Sequence, residues 1–503
     1  MTLLLGIDLG TSSVKALLLN EAGQVLGRGS SGYAINTPQP GWAEQNPETW
    51  WDAAAAAVRQ AIVGVPEGRS IDAIGVSGQM HGTVLLDQQG RILHPAVIWP
   101  DQRSVDQVVE IRQLIGDKQL IDITGSPIAA GFQAATVRWF QQVKSELWSR
   151  VGHVLLPKDY LRWRMTGEFA SEASDGSGTL LLEGRKREWS ALILRKLEVD
   201  PDLLPPVQPS VALAGELNQA AAEHFGLPAG VPVITGAADT ASSLVGAGSF
   251  KPESLMVTIG TGGQILLPTF EFTVDKKGRL HTFCGAVEPQ PGQAGWYLMG
   301  ATLSAGQSLR WLRDKVFNLA GEDSYDQMTA WAEQVPPGAG GLIFLPYLAG
   351  ERTPLMDSHA WGAFLGLTLS HGQAELVRAV MEGVVFSLYE AYLVLLEVGV
   401  VPERIILAGG GARSRLWGQM VADMFGLPVM RLLVTEQSAL GAALLAGTGC
   451  GKLDLASAAQ QWVKYGASFD PDFATQARYL ELLEIFRLSY QKNKVDFQML
   501  NEI

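Results

Sequence analysis

At 503 residues the chain is too long for one ordinary domain, and 47% hydrophobic with 18% charged residues describes a globular protein with a large core. A formal net charge of −13 excludes sequence-independent attraction to nucleic acid or to an anionic lipid surface. Two cysteines, Cys284 and Cys450, provide neither a disulfide framework nor a zinc cluster, which points to a reducing, cytoplasmic setting.

The first elements are two strand-like runs joined through "DLGTSSVK", residues 8–15. Asp8 ends one strand, Gly10, Thr11 and Ser12 form a tight turn, and Lys15 lies on the returning strand. Such a turn aims backbone N–H groups and hydroxyls at one point, a cradle for an anion, while an acid at the strand end suits Mg²⁺. The start "MTLLLGIDLG" has no basic segment before its apolar run and is not read as a signal peptide. "PETWWDAAAAAVRQAI", residues 47–62, predicts a helix.

Further on, "TGAADTASS" carries Asp239, and the small-residue run at 240–250 reads as a hinge between domains at 1–245 and 246–503. "TIGTGGQI" then repeats the Gly-Thr turn at Gly260 and Thr261, which suggests two related halves with a nucleotide between them. The window "VVFSLYEAYLVLLEVGVV" is interrupted by Glu390 and Glu397, so no membrane span is predicted. "IILAGGGARSRLW" predicts a strand, a glycine turn through Gly409, Gly410 and Gly411, and a helix from Ser414. "AGTGCGKL", residues 446–453, lacks the first Gly and the hydroxyl of a P-loop and reads as a helix C-terminus. Tyr479, Leu482, Leu483, Phe486 and Tyr490 mark a closing amphipathic helix.

Taken in order, these motifs resemble the phosphate and adenosine motifs of the actin, hexokinase and sugar-kinase superfamily. "GAFLGLTLSHGQAELVRAVMEG" and "LPYLAGERTP" resemble segments of the FGGY carbohydrate kinases, and "GVSGQMHGTVLLD" and "HTFC" resemble its xylulose kinase branch. The resemblance implies an α/β fold of two actin/hexokinase-like (ribonuclease H-like) domains with mixed sheets around a nucleotide cleft. The implied activity is transfer of the γ-phosphate of ATP to D-xylulose, with D-ribulose or L-ribulose as the alternative acceptor and a non-catalytic sugar-binding regulator as the rival class.

The roles follow the same resemblance. Asp239 matches the catalytic base, with Asp8 orienting Mg²⁺ through water and Asp239 as a second candidate ligand. Met80, His81, Trp99 and Asp101 match the sugar side, although Asp101 and Arg103 could equally form a structural pair. Gly10, Thr11, Ser12, Lys15, Gly260, Thr261, Gly410, Gly411 and Ser414 match the ATP side. Thr240 and Pro100 stand where the xylulose branch usually has Asn, and Thr136 stands where the family expects Lys. A homodimer is the implied assembly.

Overall fold

The first strand-turn-strand segment folds as the sequence predicts. In the computed structural model, which describes residues 2–63, 71–288, 294–321 and 323–502, β1 (Leu3–Leu9) and β2 (Ser13–Asn20) pair antiparallel with Asp8 opposite Lys15. β3 (Val25–Gly32) extends the meander. Helix α1 (Pro47–Ile62) begins with Pro47 after Asn46, whose side chain accepts the Glu48 N–H, and its alanine-rich face covers β3. The approach is close enough that a Cβ on Gly29 would lie 1.8 Å from the Ala57 carbonyl oxygen.

On the other side of β1, β4 (Ala73–Gly78) runs parallel, with Asp8 opposite Ser77, and β5 (Pro232–Ile234) runs parallel to β4. Helix α2 (Asp239–Gly246) follows. The small-residue run read as a hinge is therefore largely helical.

The second half repeats this plan. β6 (Ser254–Ile259) and β7 (Gly263–Thr269) form the second Gly-Thr hairpin. β8 (His281–Cys284) pairs with β9 (Trp296–Thr302), which pairs with β7. After α3 (Gln373–Glu397), β10 (Arg404–Ala408) runs parallel to β6. Helix α4 (Arg415–Phe425) leads to β11 (Val429–Leu432), parallel to β10. The strand orders β3-β2-β1-β4-β5 and β9-β7-β6-β10-β11 match in neighbours and direction. The repeated hairpin is thus the visible part of a repeated mixed sheet. In each, the central strand has its hairpin partner on one side and a parallel strand on the other.

One of the last helices joins the halves. α5 (Gln437–Gly449) crosses back from the second sheet to lie on the first. A Cβ on Gly6, Gly75, Gly246 or Gly441 would come within about 2 Å of a backbone oxygen across this contact. Its end, where Gly451 takes a φ of 65°, is the helix terminus expected for residues 446–453. α6 (Phe473–Asn501) buries Tyr479, Leu482, Leu483, Phe486 and Tyr490 as its periodicity predicts.

The apolar α3 is long and hydrophobic enough to span a membrane by composition, yet most of it is buried in the second core. Its Glu390 accepts an ion pair from Arg487 of α6 at 2.6 Å. The family-like signature on α3 also serves packing. The Glu375 carboxylate accepts the Gly372 N–H at 2.8 Å, and Glu382 pairs with Arg378 at 2.7 Å and accepts the Tyr479 hydroxyl at 3.1 Å.

Candidate active site

The two Gly-Thr turns sit at corresponding strand ends. Gly10 N–H bonds Ser13 O and Gly260 N–H bonds Gly262 O, both at 3.0 Å, which folds each loop into a tight cradle. Ser12 and Thr261 are exposed at their tips. Thr11 is braced from its own domain: Gln45 donates to its carbonyl at 2.7 Å, and the Trp99 indole donates to its hydroxyl at 3.0 Å. Trp99 therefore contacts the phosphate-type loop directly.

Asp8 and Asp239 line one cavity of about 210 Å³, together with Thr258, Gln264, Gly409 and Ser438. Burial pushes the Asp8 carboxyl up to about 6, against the opposing pull of the Ser77 hydroxyl at 3.2 Å and of Lys15. Asp239 opens α2 as its first helical residue, the cap position falling on Ala238. One Asp239 oxygen accepts the Thr240 N–H at 2.6 Å and the Thr240 hydroxyl at 3.1 Å. Burial, then the negative charge of Asp8, raise Asp239 to about 7. Two carboxylates in one oxygen-lined cavity, each short of compensating charge, form a donor set that suits a hard divalent cation.

A second cavity of about 220 Å³, lined by Gly409, Gly410, Arg413, Arg431 and Gln437, shares Gly409 and Gln437 with the first. Together they form an elongated groove with acids at one end and cations at the other. Of the predicted adenosine contacts, Gly410 faces open space. A Cβ on Gly411 would meet Ile259 at 2.4 Å, so this residue is packed inward. The Ser414 hydroxyl accepts the Trp417 N–H at 3.2 Å as the α4 cap. Neither Gly411 nor Ser414 lines the groove as the sequence led us to expect.

Met80 and His81 follow β4, whose last residue Gly78 pairs with Ala238 next to Asp239. Met80 is buried, with the Tyr297 hydroxyl 3.9 Å from its sulfur. His81, at φ 70°, holds its Nδ1 2.6 Å from the Gly178 carbonyl. A carbonyl only accepts, so Nδ1 carries the proton and Nε2 is left as an acceptor. Burial pushes the imidazole down to about 4, so it is neutral at physiological pH. Phe132 lies 4.1 Å from its ring, and Phe283 and His281 from β8 complete an aromatic wall, the last two stacked at 5.4 Å. His281 Nδ1 is buried without a hydrogen-bond partner among the described residues. "HTFC" was the available signal for His281, though as a resemblance and not as a chemical pattern.

Asp101 departs from the sugar-contact expectation. Its side chain is buried, its oxygens accept Nε and a terminal nitrogen of Arg103 at 2.9 and 2.8 Å, and one also accepts the Ala43 N–H at 2.6 Å. Arg103 in turn pairs with Glu44 at 2.8 Å and lies 3.7 Å over the Trp42 ring. The structural pair, left open by the sequence, is the arrangement found.

The N-terminal domain model of the FGGY family of carbohydrate kinases matches residues 3–246, and the C-terminal domain model matches residues 255–450. The chain belongs to the FGGY family of carbohydrate kinases. This FGGY chain is 36% identical to the xylulose kinase of Bacillus subtilis over 496 residues, covering 98% of each. It is 37% identical to the xylulose kinase of Escherichia coli, covering 97% of this chain and 98% of that one. The crystal structure of xylulose kinase from Rhodospirillum rubrum superposes with a TM-score of 0.91 at 30% identity, over 99% of this chain and all of that one. Membership makes the chain an ATP-dependent sugar kinase.

Other residues of this FGGY site escaped sequence reasoning. Gln437 and Ser438 line the groove from the start of α5, which nothing in "EQSALGAALLAG" marks chemically. Beneath the site lies a buried charge cluster: Lys158 Nζ is 2.6 Å from Asp159, 3.7 Å from Glu172 and 3.9 Å from Asp175. Burial raises the Asp175 carboxyl well above the usual range, with Lys158 pulling the other way.

Proposed function

We propose that this kinase transfers the γ-phosphoryl group of ATP to the terminal hydroxyl of D-xylulose, giving D-xylulose 5-phosphate and ADP. The observation that carries the reading is the shared cavity of Asp8 and Asp239, which continues into the Gly409–Gly410 groove. The sugar would lie against Met80, His81 and the ring wall, largely on residues 1–245. The nucleotide would lie along residues 246–503, with its base beside Gly410 and its phosphates at the turns of Gly260-Thr261 and Gly10-Thr11.

Asp239 takes the proton from the sugar hydroxyl as that oxygen bonds to the γ-phosphorus and the bond to the ADP oxygen breaks. A carboxylate near pKa 7 is a better base than an ordinary one, and such a loose transition state asks mainly for positioning and charge neutralisation. The Nε2 of His81 accepts from a sugar hydroxyl and helps fix the acceptor. Asp8, through water, and Asp239 would hold Mg²⁺, which when bound would neutralise charge on the phosphates. Closure of the two halves would exclude water, the competing acceptor. A cytoplasmic enzyme forming homodimers and binding neither nucleic acid nor membrane completes the proposal.

D-ribulose or L-ribulose is the second reading, and it rests on Thr240. Its hydroxyl touches the base where the xylulose branch usually offers an amide. The test is ADP release with Mg·ATP and a panel of D-xylulose, D-ribulose, L-ribulose, glycerol and no sugar, with Asp239→Asn as control. Turnover greatest on D-xylulose and lost in the variant supports the proposal. A preference for either ribulose transfers it to the second reading, and no sugar-stimulated release overturns both.

A further inference from the structure

A loop beside the second sheet carries a cation that none of the roles above uses. Arg352 lies between Glu351 and Thr353, and both neighbours are turned into the protein. The buried Glu351 carboxylate accepts the Leu303 N–H at 2.9 Å, the Arg352 N–H at 2.8 Å and the Ser387 hydroxyl at 3.0 Å. Thr353 N–H donates to Ala301 O at 2.9 Å, and the Thr353 hydroxyl donates to Arg279 O at 2.7 Å. The segment is thereby pinned beside β9. Glu351 and Thr353 are buried, whereas Arg352 between them is exposed and faces the other way.

The pinned position is informative. On β9, Ala301 stands two residues beyond Met299, the partner of His281. Arg352 therefore emerges next to the imidazole wall, and its positive charge acts on both His81 and His281. The charges acting on Asp8 and Asp239 are instead Lys15 and Asp8 respectively. Arg352 thus stands with the imidazole pair, whose strand its own segment is bonded beside.

The Arg352 side chain is exposed, with no hydrogen bond or ion pair among the described residues. Surrounding protein nonetheless lowers its proton affinity, against the pull of Glu351. An unpaired guanidinium presents five donors in a planar fork and no acceptor. Adjacent oxygens on one ligand are what such a fork matches. A ketopentose placed with its terminal hydroxyl at Asp239 carries its carbonyl and C1 hydroxyl at the other end.

We propose that Arg352 is a specificity-determining residue of the sugar site, donating N–H bonds to the C1–C2 oxygens of the ketopentose. The second half of the chain thereby contributes to sugar recognition and to more than nucleotide binding. This rests on the ketopentose kinase reading above.

The test compares the wild type with Arg352→Met, which keeps the stem and removes the donors, and Arg352→Lys, which keeps the charge. Steady-state rates are measured with D-xylulose and with 1-deoxy-D-xylulose, which lacks the C1 oxygen, together with KM for ATP and thermal melting. Because the side chain has no partner, both variants are expected to melt with the wild type. Arg352→Met should raise KM for D-xylulose about ten- to a hundredfold, the loss expected for charged hydrogen bonds, with KM for ATP within about twofold. The wild type should prefer D-xylulose over the deoxy sugar by about tenfold or more in kcat/KM, and Arg352→Met should lose most of that preference. Arg352→Lys should fall between the two. Unchanged sugar KM and unchanged preference in Arg352→Met would overturn the proposal, as would a rise confined to KM for ATP, which would place the guanidinium at the phosphates. A wild type that phosphorylates no ketopentose would instead remove the reading on which the proposal rests, a result visible without any variant.

Discussion

Asp8 contributes to the proton affinity of Asp239, the two carboxyls sharing one cavity although they arise from the end of β1 and the start of α2 and are far apart in sequence. The base-form fraction of Asp239 therefore sets an acid limb in the pH profile. Sugar kcat/KM should fall about tenfold per unit below pH 7. Raising Mg²⁺ should move that limb to lower pH, because a nearby cation favours the carboxylate. A flat profile between about pH 5.5 and 8 would dissociate Asp239 from the rate.

The same shift has a stability cost whose sign can be worked out. Asp239 binds its proton more tightly in the folded chain, near pH 7, than the ordinary 3.8 of an unfolded one. Between these values the folded state holds more protons, so this group's contribution to stability falls as pH rises through the window. Asp239→Asn should therefore be more stable than the wild type at pH 8, by on the order of 2 kcal/mol after allowance for solvent in the cleft. Near pH 3.5 the difference should largely vanish, while turnover is lost at every pH. Urea unfolding at the two pH values checks it.

Asp8→Asn removes a charge from the cavity and leaves the strand intact, since its hydroxyl partner Ser77 can bond an amide equally well. The Mg²⁺ concentration giving half-maximal turnover should rise about tenfold, with kcat reduced and sugar KM within a fewfold. A metal titration at saturating ATP reads this, and an unaltered requirement would take Asp8 out of the cation site.

Asp101→Ala should destabilise the fold by about 3–5 kcal/mol, because Arg103 would be left buried with only Glu44 to neutralise it. Denaturant unfolding measures the loss. Should stability hold while sugar KM rises strongly, the residue would return to the role first expected of it.

Where the sequence was legible, the instruction was local. Gly10 and Gly260 turn the chain by themselves, Pro47 starts a helix after Asn46, and the spacing of Tyr479 to Tyr490 draws a buried stripe. Where it was not, the deciding partner came from elsewhere. Asp101 looks available until Arg103 and Ala43 occupy its oxygens. The run 240–250 looks loose because its residues are small, yet small residues there let α2 approach α5 closely. Arg352 joins the imidazole wall only through bonds that Thr353 makes to β9 and Glu351 to Leu303 just beyond it.

The close approach of α2 and α5 can be probed directly. A Cβ on Gly441 would lie 1.9 Å from the Ser242 carbonyl oxygen, so Gly441→Ala must push the helices apart. A loss of about 2 kcal/mol or more is expected in unfolding experiments, with sugar and ATP affinities both impaired.

That contact also bears on what motion the catalyst can tolerate. The Ser242 hydroxyl donates to Ser438 O at 2.8 Å, and the Ser438 hydroxyl donates to Asp239 O at 3.1 Å, so the two helices are stitched together at the ends that bear the base and the nucleotide-groove residues. A seesaw travels least beside its fulcrum. If the halves swing about this seam, the glycine-threonine tips and the sugar wall sweep the larger arcs, while Asp239 and Ser438 keep their spacing. The enzyme can gape for its substrates without having to re-aim its base each cycle.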